Sequence, residues 1–222
     1  MNNNTIIVFD FETGGLDTNT TEPIEIAAIA LSPRDLSPIP GGRFYSLCKP
    51  TNWSIVSDDA LRINGKTKEM LQQAPDQSVV WPQFVNFIKQ YNPKKNSYMT
   101  APIAGGKNIR NFDIPIFDRL CKQYGFVDGK GIPNVFHKRK IYDLEDFIEL
   151  WFENSNELQD QKMDTLRQYF GMSTEKAHEA MMDTVQTAQL IIRFLQLHRA
   201  TSSRVAFKNS CKELPKALAE LL

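Results

Sequence analysis

Three short segments near the N-terminus are rich in apolar residues. The first, at residues 5–9, leads directly into Asp10-Phe11-Glu12 and is closed by two glycines. A run rich in β-branched residues that ends at turn-forming residues predicts a strand. Residues 24–31 and 43–48 are predicted as a second and a third strand, the latter closed by Lys49-Pro50. Three consecutive strands joined by loops favour an antiparallel meander.

From residue 60 onward the apolar spacing changes to that of helices. Apolar residues recur every three or four positions, which predicts helices over residues 67–73, 81–91, 114–124, 144–152, 163–170 and 180–197. Short apolar runs at residues 101–104 and 141–142 predict two more strands, the first at a sheet edge because it contains Pro102. This order of elements predicts an α/β fold with a mixed sheet and flanking helices.

Length and charge limit the domain organisation and the partners. The chain has 222 residues, enough for one domain with its own core. We expect this domain to span residues 1–200 and a helical tail to occupy residues 201–222, whose last third is amphipathic. Lys and Arg number 26, as do Asp and Glu, so the formal charge is zero. This balance argues against a protein that coats duplex nucleic acid, but it is compatible with an enzyme that grips a strand end.

The N-terminus and the cysteines indicate the compartment. The first four residues lack the charged and apolar regions of a signal peptide, and no apolar run is long enough to cross a bilayer. Cys48, Cys121 and Cys211 are far apart and odd in number, which fits neither a disulfide framework nor a zinc motif. We therefore expect a soluble cytoplasmic protein with reduced thiols and no membrane partner.

Two carboxylates follow the first apolar run. Residues two apart in a strand point to the same face, so Asp10 and Glu12 project together. Like charges side by side repel each other and need a cation or a proton. A similar pair, Asp143 and Glu145, stands at a predicted helix start with Asp146 beside it, where acids cap the helix. We interpret that second pair as structural.

Two further acids stand near the starts of predicted helices. Asp113 closes the segment at residues 108–113, where a helix cap alone would account for it. Asp183 interrupts the apolar stripe of the last long helix, where a carboxylate is costly unless it faces a cleft or a cation. His178 lies five residues before Asp183 and is predicted to face the same cleft.

Three segments together resemble a known enzyme family. FDFETGGL at residues 9–16, NIRNFD at 108–113 and HEAMMD at 178–183 are similar, in this order, to the three exonuclease motifs of the DEDD superfamily. The histidine of the third segment resembles the DEDDh, or DnaQ-like, branch, which includes the proofreading ε subunit of DNA polymerase III, RNase T and oligoribonuclease. The resemblance extends to two further segments. Residues 60–67 are similar to the family's loop before its first helix, and residues 163–171 are similar to its run before the third motif. The resemblance covers roughly residues 5–197 and implies an RNase H-like fold with a five-stranded sheet.

The resemblance implies a 3′→5′ exonuclease with two metal ions. Its metal ligands would be four carboxylates suited to Mg²⁺ or Mn²⁺, namely Asp10, Glu12, Asp113 and Asp183. His178 would act as the general base on the attacking water, because the pKa of an imidazole lies near neutrality. All five residues are therefore expected to be catalytic.

Substrate contacts are expected at the first motif and in two neighbouring segments. The candidates are Thr13, Gly14, Leu16, Ile63, Asn64, Asn108 and Phe112. A glycine there allows close backbone contact with the terminal nucleotide, while ordinary packing is the alternative for Ile63, Asn64 and Phe112. Basic residues could contact phosphates or form a solvated surface; they are Lys94, Lys95, Lys107, Arg110 and residues 137–140.

The expected substrate is the 3′ end of single-stranded DNA, which would release nucleoside 5′-monophosphates. A polymerase or another replication or repair protein is an expected partner. Two alternatives stay open: an RNA-trimming exoribonuclease, which needs a pocket for the 2′-hydroxyl, and a weak or inactive strand-end binding module on the same fold. Many relatives have a histidine where this chain has Gly106 or Lys107, which leaves the substrate undecided.

Overall fold

Five strands form one mixed sheet in a computed structural model that describes residues 4–95, 97–174 and 179–204. The strands are β1 (Ile6–Thr13), β2 (Pro23–Leu31), β3 (Pro38–Leu47), β4 (Ile103–Gly106) and β5 (Ile141–Asp143), in the sheet order β3-β2-β1-β4-β5. β1, β2 and β3 form an antiparallel meander, whereas β4 runs parallel to both β1 and β5. The predicted mixed five-stranded sheet is confirmed.

Helices connect the later strands and cover both faces of the sheet. The α-helices of the described ranges are α1 (Asp58–Ile63), α2 (Lys68–Gln72), α3 (Gln77–Lys89), α4 (Asp113–Gln123), α5 (Leu144–Trp151), α6 (Met163–Phe170) and α7 (Ala180–Arg204). Each predicted helix is present, with ends that differ by at most four residues except in α7, which extends seven residues beyond its predicted end. None of these helices combines the length and apolarity needed to cross a bilayer.

The position predicted for the fourth strand is wrong. β4 lies between β1 and β5 instead of at an edge. Pro102 precedes the first residue of β4, and its carbonyl accepts the His137 N–H at 2.8 Å. Because the proline stands just outside the strand, its missing N–H removes no hydrogen bond from the ladder.

The segment predicted as a loop at residues 60–67 is partly helical. Residues 60–63 are the last part of α1. The hydroxyl of Ser57 caps this helix by accepting the Ala60 N–H at 3.0 Å, which is a typical N-cap contact. The short helix was missed because six residues carry too little periodicity to identify it.

The predicted boundary between domain and tail falls inside a helix. α7 continues past residue 200 to Arg204. Residues 205–222, with Cys211 and the amphipathic end of the tail, lie outside the described residues. Cys48 and Cys121 are buried free thiols, as expected from their separation along the chain.

The two faces of the sheet carry separate apolar clusters. Odd-numbered residues of β1 pack against α3 and α4. The even-numbered residues Ile6 and Val8 pack against α5, α6 and α7. Because side chains alternate along a strand, the next even positions, Asp10 and Glu12, point to the face that α7 covers.

Candidate active site

Asp10 and Glu12 continue the α7-facing side of β1 beyond its apolar part. Both are half-buried, and on β2 Asp10 lies opposite Ala27 while Glu12 lies opposite Glu25. The register between β1 and β2 shifts between Glu12 and Thr13. Such an irregularity bends a strand and redirects its side chains, so the two carboxylates stand where the regular ladder ends.

Asp183 brings a third carboxylate from α7, which packs across β1 and β2. It lies in the first turn of the helix, and its side chain is 17% exposed. Its negative charge contributes to the raised pKa of both Asp10 and Glu12. The three carboxylates therefore belong to one electrostatic cluster, although they are up to 173 positions apart.

Asp113 brings the fourth carboxylate and is buried at the first residue of α4. Its Oδ1 atom accepts the backbone N–H of Phe11 at 3.0 Å. The pairing of β1 with β4 ends at Val8 and Gly105, so this side chain joins α4 to β1 beyond the last strand contact. A helix cap alone therefore does not account for Asp113.

Burial and mutual repulsion shift the pKa values of these acids. Desolvation, followed by the charges of Asp183 and Glu25, raises the pKa of Asp10 to about 7. Desolvation, followed by the charge of Asp10, raises the pKa of Glu12 to about 8. The pKa of Asp113 also lies well above its ordinary value, first because of burial and then because of Asp10. An acidic cluster of this kind favours the binding of a cation or of protons.

The metal-free protein is expected to lose stability as the pH rises. The pKa values of Asp10 and Glu12 increase from ordinary values of 3.8 and 4.5 to about 7 and about 8. Between these limits the folded state binds more protons than the unfolded state, so the free energy of unfolding falls with increasing pH. The melting temperature in a chelator should be higher near pH 5 than near pH 8, by roughly 5 °C or more.

A matched pair of variants checks the cause of this pH dependence. Glu12→Gln should flatten the curve of melting temperature against pH, because it removes one of the groups with a raised pKa. Glu149→Gln changes an exposed carboxylate on α5 and should leave the curve unchanged. Equal slopes in the two variants would contradict the assignment of the effect to the buried acids.

Three basic side chains pair with acids around this cluster. The pairs are Lys66 with Glu25, Lys107 with Glu145, and Arg167 with Asp183. The charges of Lys107 and Arg167 oppose the raised pKa of Asp10, and the charge of Lys66 opposes that of Glu12. Since both pKa values remain raised, the bases offset only part of the negative charge.

The four carboxylates are the kind of donor set that hard divalent cations prefer. Within the described ranges, however, no three histidine, cysteine, aspartate or glutamate side chains are gathered closely enough to hold a metal ion. Asp113 accepts the Phe11 N–H, and Asp183 is paired with Arg167. The residue types fit Mg²⁺ or Mn²⁺, and binding of either ion would require the carboxylate side chains to draw together.

A cleft of about 490 Å³ lies beside the β1 acids. Its walls include Glu12, Thr13, Leu16, Ile63, Asn64 and Phe112. Five of the seven predicted substrate residues therefore share one cavity with a carboxylate of the cluster. Leu16 is 88% exposed and Ile63 55% exposed. Exposed apolar side chains in a cleft are suited to stacking against the flat face of a nucleobase.

Asn64 fixes one wall of this cleft. It is buried, and its Nδ2 atom donates to the carbonyl of Thr13 at 3.2 Å. Thr13 in turn donates its hydroxyl to the carbonyl of Gly15 at 2.7 Å. These bonds hold the loop after β1 against the end of α1, so Asn64 positions the loop that carries Leu16.

Two predicted substrate residues do not line the cleft. A Cβ atom added at Gly14 would lie 2.9 Å from Cγ2 of Val56, so this glycine permits close packing of the loop. Asn108 has a φ of +50° in the turn before α4, and its side chain accepts from Nδ2 of Asn111 at 3.0 Å. Both residues shape the backbone next to the site.

The predicted general base, His178, lies outside the described residues, together with residues 175–177. Its role stays a prediction from the motif HEAMMD. Asp183, at the end of that motif, and Glu179 are described.

The second acidic pair is structural, as predicted. Asp143 caps α5 by accepting the Glu145 N–H at 3.2 Å, and it also accepts the Arg110 N–H at 3.0 Å. The Arg110 guanidinium lies 2.7 Å from Asp146. Arg110, offered as a phosphate contact, is therefore engaged with acids of α5.

Three charged residues around the acidic cluster were not among the predicted site residues: Glu25, Lys66 and Arg167. Glu25 is almost fully buried, accepts from the hydroxyl of Tyr45 at 2.7 Å and lies 2.9 Å from Nζ of Lys66. The signal was a single acid in the otherwise apolar run at residues 24–31. For Arg167 the signal was a single base beside Leu166 on a predicted helix.

Most of the chain is similar in sequence to known exonuclease and DNA polymerase proteins. The sequence profile of the exonuclease family, named for RNase T, matches residues 7–191. A PolC-type DNA polymerase III of Thermotoga petrophila is 25% identical over 202 residues, which cover 88% of this chain and 12% of the relative. The DNA polymerase III subunit epsilon of Aquifex aeolicus is 24% identical over 203 residues, which cover 86% of this chain and 81% of the relative.

The fold is also found among solved structures. Exonuclease I of E. coli in complex with a dT13 oligonucleotide has a TM-score of 0.65 and 18% sequence identity, over 86% of this chain and 40% of that chain. This similarity confirms the expected RNase H-like fold. The profile match includes all three motif segments and confirms the resemblance on which the prediction rested. The chain belongs to the exonuclease family, in the DnaQ-like group that its motifs predicted.

Proposed function

We propose that this protein is a metal-dependent 3′→5′ exonuclease that removes nucleoside 5′-monophosphates from single-stranded DNA. The observation that carries the proposal is the cluster formed by Asp10, Glu12, Asp113 and Asp183 beside an apolar cleft. Carboxylates that repel each other in a half-buried site lower the stability of the metal-free protein. A loss of stability of this kind is common at catalytic sites. An inactive strand-end binding module has no need of this cluster.

The four carboxylates would hold two divalent ions, Mg²⁺ or Mn²⁺. When bound, these ions lower the pKa of water and stabilise the negative charge that develops on the phosphate oxygens. His178 would take the proton of the attacking water. Leu16 and Ile63 would contact the terminal base, and the last phosphodiester bond would then lie near Glu12, which lines the same cleft.

Single-stranded DNA is favoured by the shape and charge of the molecule. The exposed side chains of Leu16 and Ile63 offer contacts to unpaired bases, which a duplex keeps stacked. A formal charge of zero provides no broad field for duplex DNA. The exonuclease I relative, bound to dT13, agrees with this substrate. An RNA strand is the alternative substrate.

A DNA polymerase is the partner that the relatives suggest. One relative is a PolC-type polymerase, of which this chain spans 12%, and another is an epsilon subunit. Size-exclusion chromatography of this protein with a bacterial replicative polymerase tests the association. Co-elution supports it, and separate elution at micromolar concentrations would remove the polymerase from the proposal.

A degradation assay tests the proposed activity. End-labelled single-stranded DNA with a free 3′ end should be shortened one nucleotide at a time in Mg²⁺, faster than blunt duplex DNA and faster than RNA of equal sequence. Excess EDTA should stop the reaction. Equal rates on a strand with a blocked 3′ end would show that the polarity is wrong, and full activity in EDTA would refute the metal requirement.

Leu16→Ala is expected to raise KM about tenfold with little change in kcat. Loss of the apolar contact with the base removes roughly 1.5 kcal/mol of binding energy, which corresponds to about a factor of ten. Leu150→Ala is the matched control, because Leu150 is 79% exposed on α5 and does not line the cleft. Steady-state kinetics with single-stranded DNA measure both. Equal KM values for the two variants would contradict the contact.

A further inference from the structure

Arg167 is a fully buried arginine beside the proposed metal site. Its side chain is 0% exposed on α6. Arginine is almost never fully buried unless it is paired, because removal of its charge from water is costly and only good partners offset that cost. The partners of this side chain therefore indicate why the chain retains a charge at this position.

The guanidinium group of Arg167 has three side-chain partners. Nε donates to Oε1 of Gln186 at 2.7 Å, Nη1 donates to Oδ1 of Asp164 at 2.6 Å, and Nη2 pairs with Oδ1 of Asp183. Asp164 is 70% exposed, so its ion pair is screened by water and contributes little. Asp183 is the better shielded acidic partner, with 17% of its side chain exposed.

The same network joins α6 to the start of α7. Gln186 is buried, lies one turn after Asp183 and donates its Nε2 to the carbonyl of Ser173 at 2.6 Å. The guanidinium group thus binds both Asp183 and Gln186 in the first turns of α7. Gln186 also binds the backbone of Ser173, which follows α6. Both contacts fix the position of Asp183 relative to the acids of β1.

We propose that Arg167 is the internal counter-ion of Asp183, which holds this carboxylate in the metal-free protein and lowers the affinity of the site for divalent cations. The inference rests on the proposed function, which makes Asp183 a metal ligand. A guanidinium group and a divalent cation that share one carboxylate repel each other. Metal binding at Asp183 therefore occurs in competition with Arg167, which is a positioning residue and touches no substrate.

This role accounts for the arrangement of the metal-free site. The carboxylates of the described chain are not gathered around a metal position, and one oxygen of Asp183 is occupied by Arg167. The charge of Arg167 also lowers the pKa of Asp10, so it acts on more than one member of the cluster. Arg167 thereby limits the repulsion among the acids when no metal is bound.

Arg167→Met tests this role because it removes the charge and keeps an unbranched side chain of similar reach. The dissociation constant for Mn²⁺, measured by calorimetry, should fall at least about fivefold. The melting temperature of the metal-free protein should fall, and the increase produced by saturating Mn²⁺ should become larger. Arg167→Lys, which retains a positive charge, should have a dissociation constant close to the wild-type value.

A merely structural arginine gives a different result. It would lower the melting temperature by the same amount with and without Mn²⁺ and would leave the dissociation constant unchanged or larger, which would overturn the proposal. Arg199→Met is the matched control: this exposed arginine of α7 donates to the carbonyls of Pro33 and Arg34. Its loss should not change the affinity for Mn²⁺.

A second measurement uses the wild-type protein, and a variant is needed only to assign one NMR resonance. The NMR resonance of the Arg167 Nε–H group, identified by its absence in Arg167→Lys, should shift during a Mg²⁺ titration with the dissociation constant of the metal. A resonance that does not move while Mg²⁺ binds would overturn the role of Arg167 and leave the proposed function intact. A wild-type protein that binds neither ion would overturn both.

Discussion

Replacement of Asp10 by Asn is expected to abolish nuclease activity and to raise the melting temperature of the metal-free protein. The rate should fall at least about 10³-fold, the upper range for removal of one electrostatic contributor to a transition state. The stability gain has the same origin, since Asp10 is repelled by Asp183 and Glu25 and raises the pKa of Glu12. Single-turnover rates and thermal unfolding in a chelator measure the two effects.

Opposite changes in activity and stability separate this site from an ordinary structural carboxylate. A carboxylate that stabilises the fold would lower both quantities when it is replaced. Glu149→Gln serves as the control, because its exposed side chain should affect neither quantity. An Asp10→Asn protein that is less stable than the wild type in the absence of metal would contradict the repulsion described for the cluster.

His178→Ala is expected to lower the rate of the chemical step while it leaves the affinity for Mn²⁺ nearly unchanged. General-base assistance contributes ~10²–10⁴-fold in rate, and we expect a loss of this size. The rate of the wild-type enzyme should rise with pH as the imidazole loses its proton. This rising limb should be absent in His178→Ala, because no imidazole then accepts the proton.

Two comparisons isolate the role of His178. Asp183→Asn should weaken Mn²⁺ binding as well as the rate, because it removes a charged ligand. His198→Ala replaces an exposed histidine on α7 and should preserve both the rate and its pH dependence. A folded His178→Ala protein with near-normal single-turnover rates would end the assignment of a general base.

The strands and long helices were predictable because each carries its own periodicity. Residues 24–31 are buried along their whole length, so a run that is apolar except for Glu25 identified β2. α6 matches its predicted range, Met163–Phe170, because its apolar stripe is regular. The position of β4 was not predictable from Pro102, because only the sheet order shows that the proline lies outside the ladder.

Site residues were predictable where they belong to a sequence motif. They were not predictable where only strand pairing or helix packing brings them to the site. Asp10 and Glu12 share a face because of strand geometry alone. Glu25 joins them only because the pairing of β1 with β2 places it opposite Glu12, which no local pattern indicates. The same holds for Arg167, whose contact with Asp183 joins two helices. For Asn108 the role in substrate binding stays a prediction, and the structure adds a hydrogen bond from Asn111 to its side chain in a turn.

The number of Mn²⁺ ions bound per chain tests the central claim most directly, because the claim is that the four carboxylates form a divalent-metal site. Calorimetric titration of the wild-type protein should give two ions per chain, and Asp10→Asn should bind fewer ions with lower affinity. Glu149→Gln should match the wild type. A wild-type protein that binds no Mn²⁺ at millimolar concentration, or an Asp10→Asn protein with unchanged binding, would contradict the account.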